Sequence, residues 1–422
     1  MTSQTMRRTW PQRLTFGLVV LTAVACFATA AGLAVGQWVL SQRNLIVLDV
    51  PGRETERQRS VDVVLPGGVV MAAGDAPAEA DDGVLLVEPD AANFLIVGAD
   101  NNACLETSDP TIGDRTELGE RSDTIMIWRA NPAVDQLAVL SLPRDLYVKV
   151  PGGRKARINS TFRRNDPTEL IATIDLNFGI PIDHYVQIDF CAFQRLVDAV
   201  GGVDVPFQYP ARDRHSGLSI PIAGCIRLDG ATALAYVRSR YYQYEDPPDS
   251  GNWVTDGTSD LGRINRQQDF LRRVVRKVVD EGLYSPRVAS ALITTNRDFV
   301  VTDAGLTVRR MLEFANTLRT IDPAGIMTYR IESEGDTLSS GDAVELPRID
   351  GQNMRAVLDV FRGKATLASA TEQQFDTATS TTVATADPSA TSGGPPPAST
   401  LPEVVATENT VGVAPTRDIT CP

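Results

Sequence analysis

Twenty-seven consecutive residues, Leu14 to Leu40 (LTFGLVVLTAVACFATAAGLAVGQWVL), carry no charge. A helix crossing a bilayer core takes about 20 apolar residues, whereas a cleaved signal peptide has an apolar core of only ~7–15. The length therefore predicts an uncleaved signal anchor at 14–40, although small residues around Ala28 to Ala34 would suit a cleavage site. Arg7, Arg8 and Arg13 precede the run without any acidic residue. The positive-inside rule then puts residues 1–13 in the cytoplasm and everything after Leu40 outside the cell membrane. A chain built this way must place its globular part in an oxidising compartment, where disulfides persist.

The remainder divides by composition. Residues 41–84 form a connecting segment, with VDVVLPGGVVM (61–71) able to make a hairpin and GDAPAEADDG (74–83) reading as an acidic loop. Residues 85–363 alternate strand-like and helix-like patterns. Residues 364–422 hold 13 Thr, 10 Ala, 7 Pro and 5 Ser with few large apolar side chains, a composition that cannot pack a core and predicts a disordered tail. The net charge of -13 disfavours a nucleic-acid partner, which needs a basic footprint. Two histidines leave little room for a His-rich zinc site or Ser-His-Asp chemistry. Outside the apolar run lie Cys104, Cys191, Cys225 and Cys421, none in a CxxC pair. One disulfide among the first three is expected, with buried free thiols as the alternative.

Within 85–363, NFLIVGA (93–99), DTIMIW (123–128) and LAVLSL (137–142) read as short buried strands, the last two joined through Asn131-Pro132. Helical patterns follow around 168–178, 190–200, 229–239, 263–281, 286–295, 304–319 and 351–362. The mixture predicts an α/β or α+β sandwich with helices covering a sheet.

If the three strands run up, down and up, one sheet edge collects Asp100, Arg121, Asp123, Arg144 and Asp145. Paired carboxylates beside arginines are what a metal-phosphate site needs. Mg²⁺ takes one or two carboxylates and completes its shell with water and substrate phosphate, and guanidinium forks bind the remaining oxygens. The bland alternative is a row of solvated ion pairs at strand ends. A second cluster follows: Arg238 and Arg240 end LDGATALAYVRSR, and Asp260, Arg263, Arg266 and Gln267 begin a helix. There Arg263 and Gln267 share a face with Phe270, Val274 and Val278. A third piece is Arg157, after the loop PGGRKA.

These stretches resemble the LytR-CpsA-Psr family of cell-envelope glycopolymer transferases. The likeness is carried by NFLIVGAD (93–100), RSDTIMI (121–127), SLPRDLYV (141–148), RINSTF (157–162), FGIPIDHYVQIDF (178–190), LVDAVGGVDV (196–205), LDGATALAYVRSR (228–240) and DLGRINRQQDFL (260–271). It runs more weakly to the FRG at 361–363. The resemblance implies an α-β-α sandwich, a mixed central sheet flanked by helices, that binds a polyprenyl (pyro)phosphate-linked glycan. It implies transfer of the glycopolymer phosphate to a peptidoglycan hydroxyl with Mg²⁺ (or Mn²⁺). By position, Asp100 and Asp123 match metal carboxylates. Arg144, Arg240, Asp260 and Arg263 match the catalytic set, and Arg121, Arg157, Arg238, Arg266 and Gln267 match pyrophosphate contacts. Arg157 stands where the family usually has Lys, and the segments 101–120 and 241–259 are longer than usual. The competing readings are a polyprenyl-pyrophosphate phosphatase using the same residues, a non-catalytic lipid-binding envelope regulator, and an adhesion protein acting through its tail.

Overall fold

The computed structural model describes residues 44–48, 88, 90–100, 122–281, 300–321, 325–367 and 421. The 14–40 run, the 61–71 hairpin, the acidic loop, the 101–120 segment with Arg121 and Cys104, the 286–295 helix and nearly all of the tail lie outside these residues. No helix among the described residues is long and apolar enough to cross a membrane.

The central sheet has seven strands, labelled here in chain order: β1 (Asn44–Ile46), β2 (Ala92–Ala99), β3 (Ser122–Asn131), β4 (Gln136–Leu142), β5 (His184–Asp189), β6 (Val300–Asp303) and β7 (Met327–Arg330). Their spatial order is β1-β6-β5-β2-β3-β4-β7. The sheet is mixed: β2–β3, β3–β4 and β5–β6 are antiparallel, while β1–β6, β2–β5 and β4–β7 are parallel. The strands expected at 93–99, 123–128 and 137–142 are all present, and they are neighbours running up, down and up.

Alternation sorts their side chains between two covered faces. Leu95, Val97, Ile125, Ile127, Ala138 and Leu140 join one core with the helices α1 (Thr168–Phe178) and α6 (Gln352–Phe361). Phe94, Met126, Val139 and the flanking Ile96 and Trp128 join another with α4 (Ser259–Glu281) and α5 (Val308–Thr320). Burial on both faces explains why β2 is apolar from Phe94 to Ala99. The result is the α-β-α layering expected.

A second apolar cluster is built by α2 (Phe190–Ala199), α3 (Gly230–Arg238), the pair 203–207 and 224–228, and a four-stranded sheet of 211–213, 218–220, 243–245 and 253–255. Both helices start on aspartate caps. Asp189 accepts from the Ala192 N–H, and Asp229 from the Thr232 N–H. Gly230 lets α3 close onto α2, because a Cβ there would sit 2.3 Å from the Gln194 carbonyl oxygen.

Cys225 forms a disulfide with Cys421, 196 residues further on. Cys225 therefore pairs with neither Cys104 nor Cys191, and it is not a free thiol. Cys191 is disulfide-bonded as well. Cys421 is thus covalently tied to the strand Gly224–Leu228.

Candidate active site

The site forms where β2 ends, β3 begins and β4 ends. Ala99 pairs with Ser122, but Gly98 pairs with Thr124, so Asp123 is the extra residue of a β-bulge. A bulge re-aims its side chain out of the sheet's alternation. It leaves Asp123 beside the end of β2, which carries Asp100. Ile125 pairs with Leu142, which brings the turn Pro143-Arg144-Asp145 to the same end of the sheet. The expectation that Asp100, Asp123, Arg144 and Asp145 share one edge is met.

Arg144 donates through Nη1 to Asp123 Oδ1 in a short contact and through Nε to Asp145 at 3.3 Å. Its guanidinium is also 3.9 Å from Asp260. Burial acts to lower the Arg144 pKa, but Asp123, Asp145 and Asp260 outweigh it and hold the group above the ordinary arginine value.

The opposite wall is the first turn of α4. Arg263 is 2 % exposed. Its Nη2 donates to the Asp123 carbonyl oxygen at 2.8 Å and reaches Asp260 Oδ1 at 3.0 Å. Burial lowers its pKa, against the pull of Asp260 and Asp123 and with the neighbouring Arg144 and Arg240 adding to the lowering. Arg240 follows α3, and its Nε lies 3.2 Å from Asp260 Oδ1. Three guanidiniums, from the turn after β4, the segment after α3 and the start of α4, therefore meet on Asp123 and Asp260.

The aim of Arg240 is set from beneath. Asp213, 1 % exposed, accepts from the Arg240 and Tyr241 N–H groups at 3.0 and 2.9 Å, from the Ser239 hydroxyl at 2.7 Å, and from His215 and Ser216 N–H. Burial alone would raise its pKa. The Ser239 hydroxyl and the surrounding N–H groups more than offset that and hold it below the ordinary carboxylate value. Sequence reasoning missed Asp213. Its signal was local, an Asp two and three residues before two turn N–H groups in RDRHSG, but its partners at 239–241 lie across a strand and a helix.

The remaining expected residues spread around this core. Arg157 Nη2 donates to the Ala343 carbonyl oxygen at 2.8 Å, and its guanidinium also approaches Asp342 and Asp145. Arg238 lies over the Phe190 ring at 4.6 Å. Gln267 donates to Thr124 Oγ1 and the Val237 carbonyl oxygen, bracing α4 to β3 and α3. Arg266 is 1 % exposed and pairs with Asp256 at 3.1 Å, donates to the Ser239 carbonyl oxygen and stacks on Tyr242. Its geometry is that of a brace between α4 and the 239–256 segment rather than a contact to a ligand, because both Nη atoms are bonded within the fold and the side chain is sealed from solvent. Arg121 lies outside the described residues. His184 starts β5 opposite Phe94 and pairs with Asp303 at 3.3 Å, so it stands at the other end of β2 from Asp100.

Among the described residues no group of three or more His, Cys, Asp or Glu could hold a metal ion. Asp100 and Asp123 offer an oxygen-only pair on neighbouring strand ends. Such a pair suits a hard cation that keeps waters and takes its other ligands from phosphate, so the donor chemistry fits Mg²⁺ or Mn²⁺ and does not fit a closed all-protein zinc site.

Comparison with known proteins follows the same lines. The family model described as LytR_cpsA_psr family matches residues 72–358. The probable cell wall biosynthesis protein LcpB of Corynebacterium glutamicum is 34% identical over 192 residues, covering 45% of this chain and 42% of that protein. An Enterococcus faecalis protein named polyisoprenyl-teichoic acid–peptidoglycan teichoic acid transferase TagU is 34% identical over 190 residues, covering 45% and 56%. The chain spans about half the length of the curated relatives it matches. Among solved structures, the LytR-Csp2A-Psr enzyme from Actinomyces oris aligns with TM-score 0.50 at 23% identity, over 64% of this chain and 89% of that one. That likeness bears on the fold.

Proposed function

The chain belongs to the LytR-CpsA-Psr family, and from that premise we propose that it moves a glycopolymer from a polyprenyl (pyro)phosphate lipid to a peptidoglycan hydroxyl. The observation that carries this reading is the meeting of Arg144, Arg240 and Arg263 on Asp123 and Asp260 at the sheet end. Phosphoryl transfer needs little covalent work from a protein. It needs positioning and neutralised charge. A relative named for teichoic acid transfer to peptidoglycan supports the substrate class.

In this reading the acceptor hydroxyl oxygen attacks the phosphorus nearest the glycan. The bond from that phosphorus to the bridging oxygen breaks, polyprenyl phosphate leaves, and the hydroxyl proton passes to water. Arg144 and Arg240 donate to the leaving phosphate. Arg157 and Arg238 hold outer oxygens of the pyrophosphate. Arg263, too buried to reach far, fixes Asp260 and the Asp123 backbone. Asp260 orients the acceptor hydroxyl, since its oxygens are shared among three arginines. Asp100 and Asp123 would hold Mg²⁺ (or Mn²⁺), which when bound neutralises pyrophosphate charge. Residues 14–40 would anchor the chain in the cell membrane with this site outside, and the oxidised state of Cys191, Cys225 and Cys421 supports an extracytoplasmic place.

The test incubates the full-length chain and Mg²⁺ with a short lipid-pyrophosphate-linked glycan, with and without peptidoglycan fragments. The expected result is a peptidoglycan-linked product with release of lipid phosphate only when acceptor is present, and loss of both on chelation. Equal release without acceptor would make the protein a pyrophosphate hydrolase. Absence of both product and release would remove the enzymatic reading.

A further inference from the structure

The register of the central sheet fixes which of its edges meets the incoming N-terminal chain. β1 runs parallel to β6, β6 antiparallel to β5, and β5 parallel to β2. Asn44 stands opposite Val301, Val301 opposite Gln187, and Gln187 opposite Val97, two residues before the end of β2. The first residue of β1 therefore lies toward the edge where β2 ends, β3 begins and β4 ends. That is the edge of Asp123 and Arg144. A chain entering β1 from its N-terminal side comes in over the candidate active site.

What enters there is short. Ser41, Gln42 and Arg43 alone separate Leu40, the last residue of the uncharged run, from Asn44. An extended chain advances at most ~3.6 Å per residue, so Leu40 and Asn44 are no more than about 14 Å apart. β2 and β4 stand three and five places from β1. At a strand spacing of about 4.8 Å they end about 14 and 24 Å along the edge. Twist turns each strand about 20–25° against the next, so these ends fan out and meet a flat surface at a slant. The opposite edge is further away by the eight residues of β2, which is about 26 Å at ~3.3 Å per residue. That far edge holds the turn between β3 and β4, and also Leu367, whose N–H donates to Glu88 beside Arg129. The tail thus starts on the side away from the entering chain.

We propose that the outer face of the lipid bilayer is a docking partner of this domain: the sheet edge bearing Asp123 and Arg144 faces the headgroups, and the three-residue link is a ruler that keeps it there. The proposal rests on residues 14–40 being the anchor, and it deepens the transferase reading by fixing where that reaction takes place. A pyrophosphate whose polyprenyl chain stays in the hydrocarbon lies at headgroup level, within the reach the link allows. The lipid is used where it sits, and the acceptor comes to the membrane.

The test places the full-length chain in phosphatidylcholine–phosphatidylglycerol vesicles that carry a headgroup quencher. A fluorophore on a non-natural amino acid replaces either Ser160, bonded to Arg157 at the site edge, or the exposed Val134 of the far turn. Quenching at position 160 exceeds that at 134 by about twofold or more. Equal quenching, or more at 134, overturns the orientation. A chain washed off the vesicles by carbonate overturns the anchor and the orientation with it. A second arm inserts a helical spacer of about 20 residues, some 30 Å long at ~1.5 Å per residue, between Leu40 and Ser41. Transfer from a long-chain lipid-linked glycan in the vesicle then falls about tenfold or more, because the link no longer holds the site near its substrate. A water-soluble short-chain analogue is used as by wild type, and a Gly/Ser spacer of equal length, which lets the domain fall back, restores the vesicle reaction. Undiminished use of the vesicle substrate with the helical spacer overturns the ruler. Wild type inactive on both substrates, with the quenching difference intact, overturns the transferase reading and leaves the orientation standing.

Discussion

Arg263 and Arg266 stand three residues apart on α4, and both guanidiniums are buried, yet they belong to different regions of the molecule. Arg263 faces Asp260 and the Asp123 backbone, and those carboxylates keep 19 % and 22 % of their side-chain surface exposed. They are shared with Arg144 and Arg240, and Arg144 also meets Asp145, so three guanidiniums and three carboxylates form an open network rather than closed pairs. Arg266 faces Asp256, whose side chain is 3 % exposed. That pair is one to one, closed above by Tyr242 and tied to Ser239. Burial of an arginine therefore does not mark a site. What marks it is whether the charged partners remain reachable and shared rather than sealed in a closed pair.

The largest effect expected from breaking this contrast is on stability. Arg266→Ala strands the buried Asp256 carboxylate, and removing one partner of a buried pair costs about 3–5 kcal/mol. Urea unfolding measures it, and a loss under 1 kcal/mol would mean that Arg266 is not the brace described. Arg144→Ala should do the opposite. Loss of one preorganised donor lowers the transfer rate about 10²–10³-fold, with the melting temperature kept because both the arginine and its partners are part-exposed. A folded Arg144→Ala chain with full transfer would move catalysis elsewhere.

Gly262, between the two networks, gives an intermediate effect. A Cβ there would meet Thr258 Oγ1 at 2.3 Å and Asp256 Oδ2 at 2.9 Å. Gly262→Ala should cost about 1–3 kcal/mol by overpacking, and it should act on the closed network first. Unfolding at unchanged denaturant would show that the 256–258 loop gives way freely.

The smallest effect is a pH dependence under Arg240. The Asp213 carboxyl titrates lower in the fold than in the unfolded chain. Its contribution is complete above the unfolded value of ~3.9 and is lost as the pH falls through the folded one. Asp213→Asn should therefore be less stable than wild type at pH 7, by a margin that narrows below pH ~4. Urea midpoints at the two pH values check this, and a constant margin would rule it out.

Much of the fold was legible. The apolar runs at 93–99, 123–128 and 137–142 announced three neighbouring strands because both sheet faces are covered, and such strands need no polar alternation. The helices at 168–178, 190–199 and 352–361 showed their periodicity and their stops, with Gly179 in the left-handed region closing α1. The site was legible as residue types gathered at one edge. Arg144, Asp123 and Asp145 follow from strand ends alone. Arg266 and Gln267 were harder, because helical spacing says which residues share a face and not what stands opposite. Asp213 carries a local turn signal that does not reveal its partners at 239–241, and Asp256 and Asp342 pair with arginines distant in the chain. The 333–347 hairpin reaches Arg157 from 185 residues away.

The sequence by itself thus determined the strands, the helices, the family and the cast of charged groups, because period, capping and motif spacing are local properties. Tertiary structure alone decided which arginine serves a reachable anion site and which braces the fold, that a bulge turns Asp123 out of register, that Cys225 finds Cys421, and that a distant hairpin reaches Arg157 beside the site. Each of these depends on which partner the folded chain brings within a few ångströms, and the pairing of distant segments is set by packing rather than by neighbours in the chain.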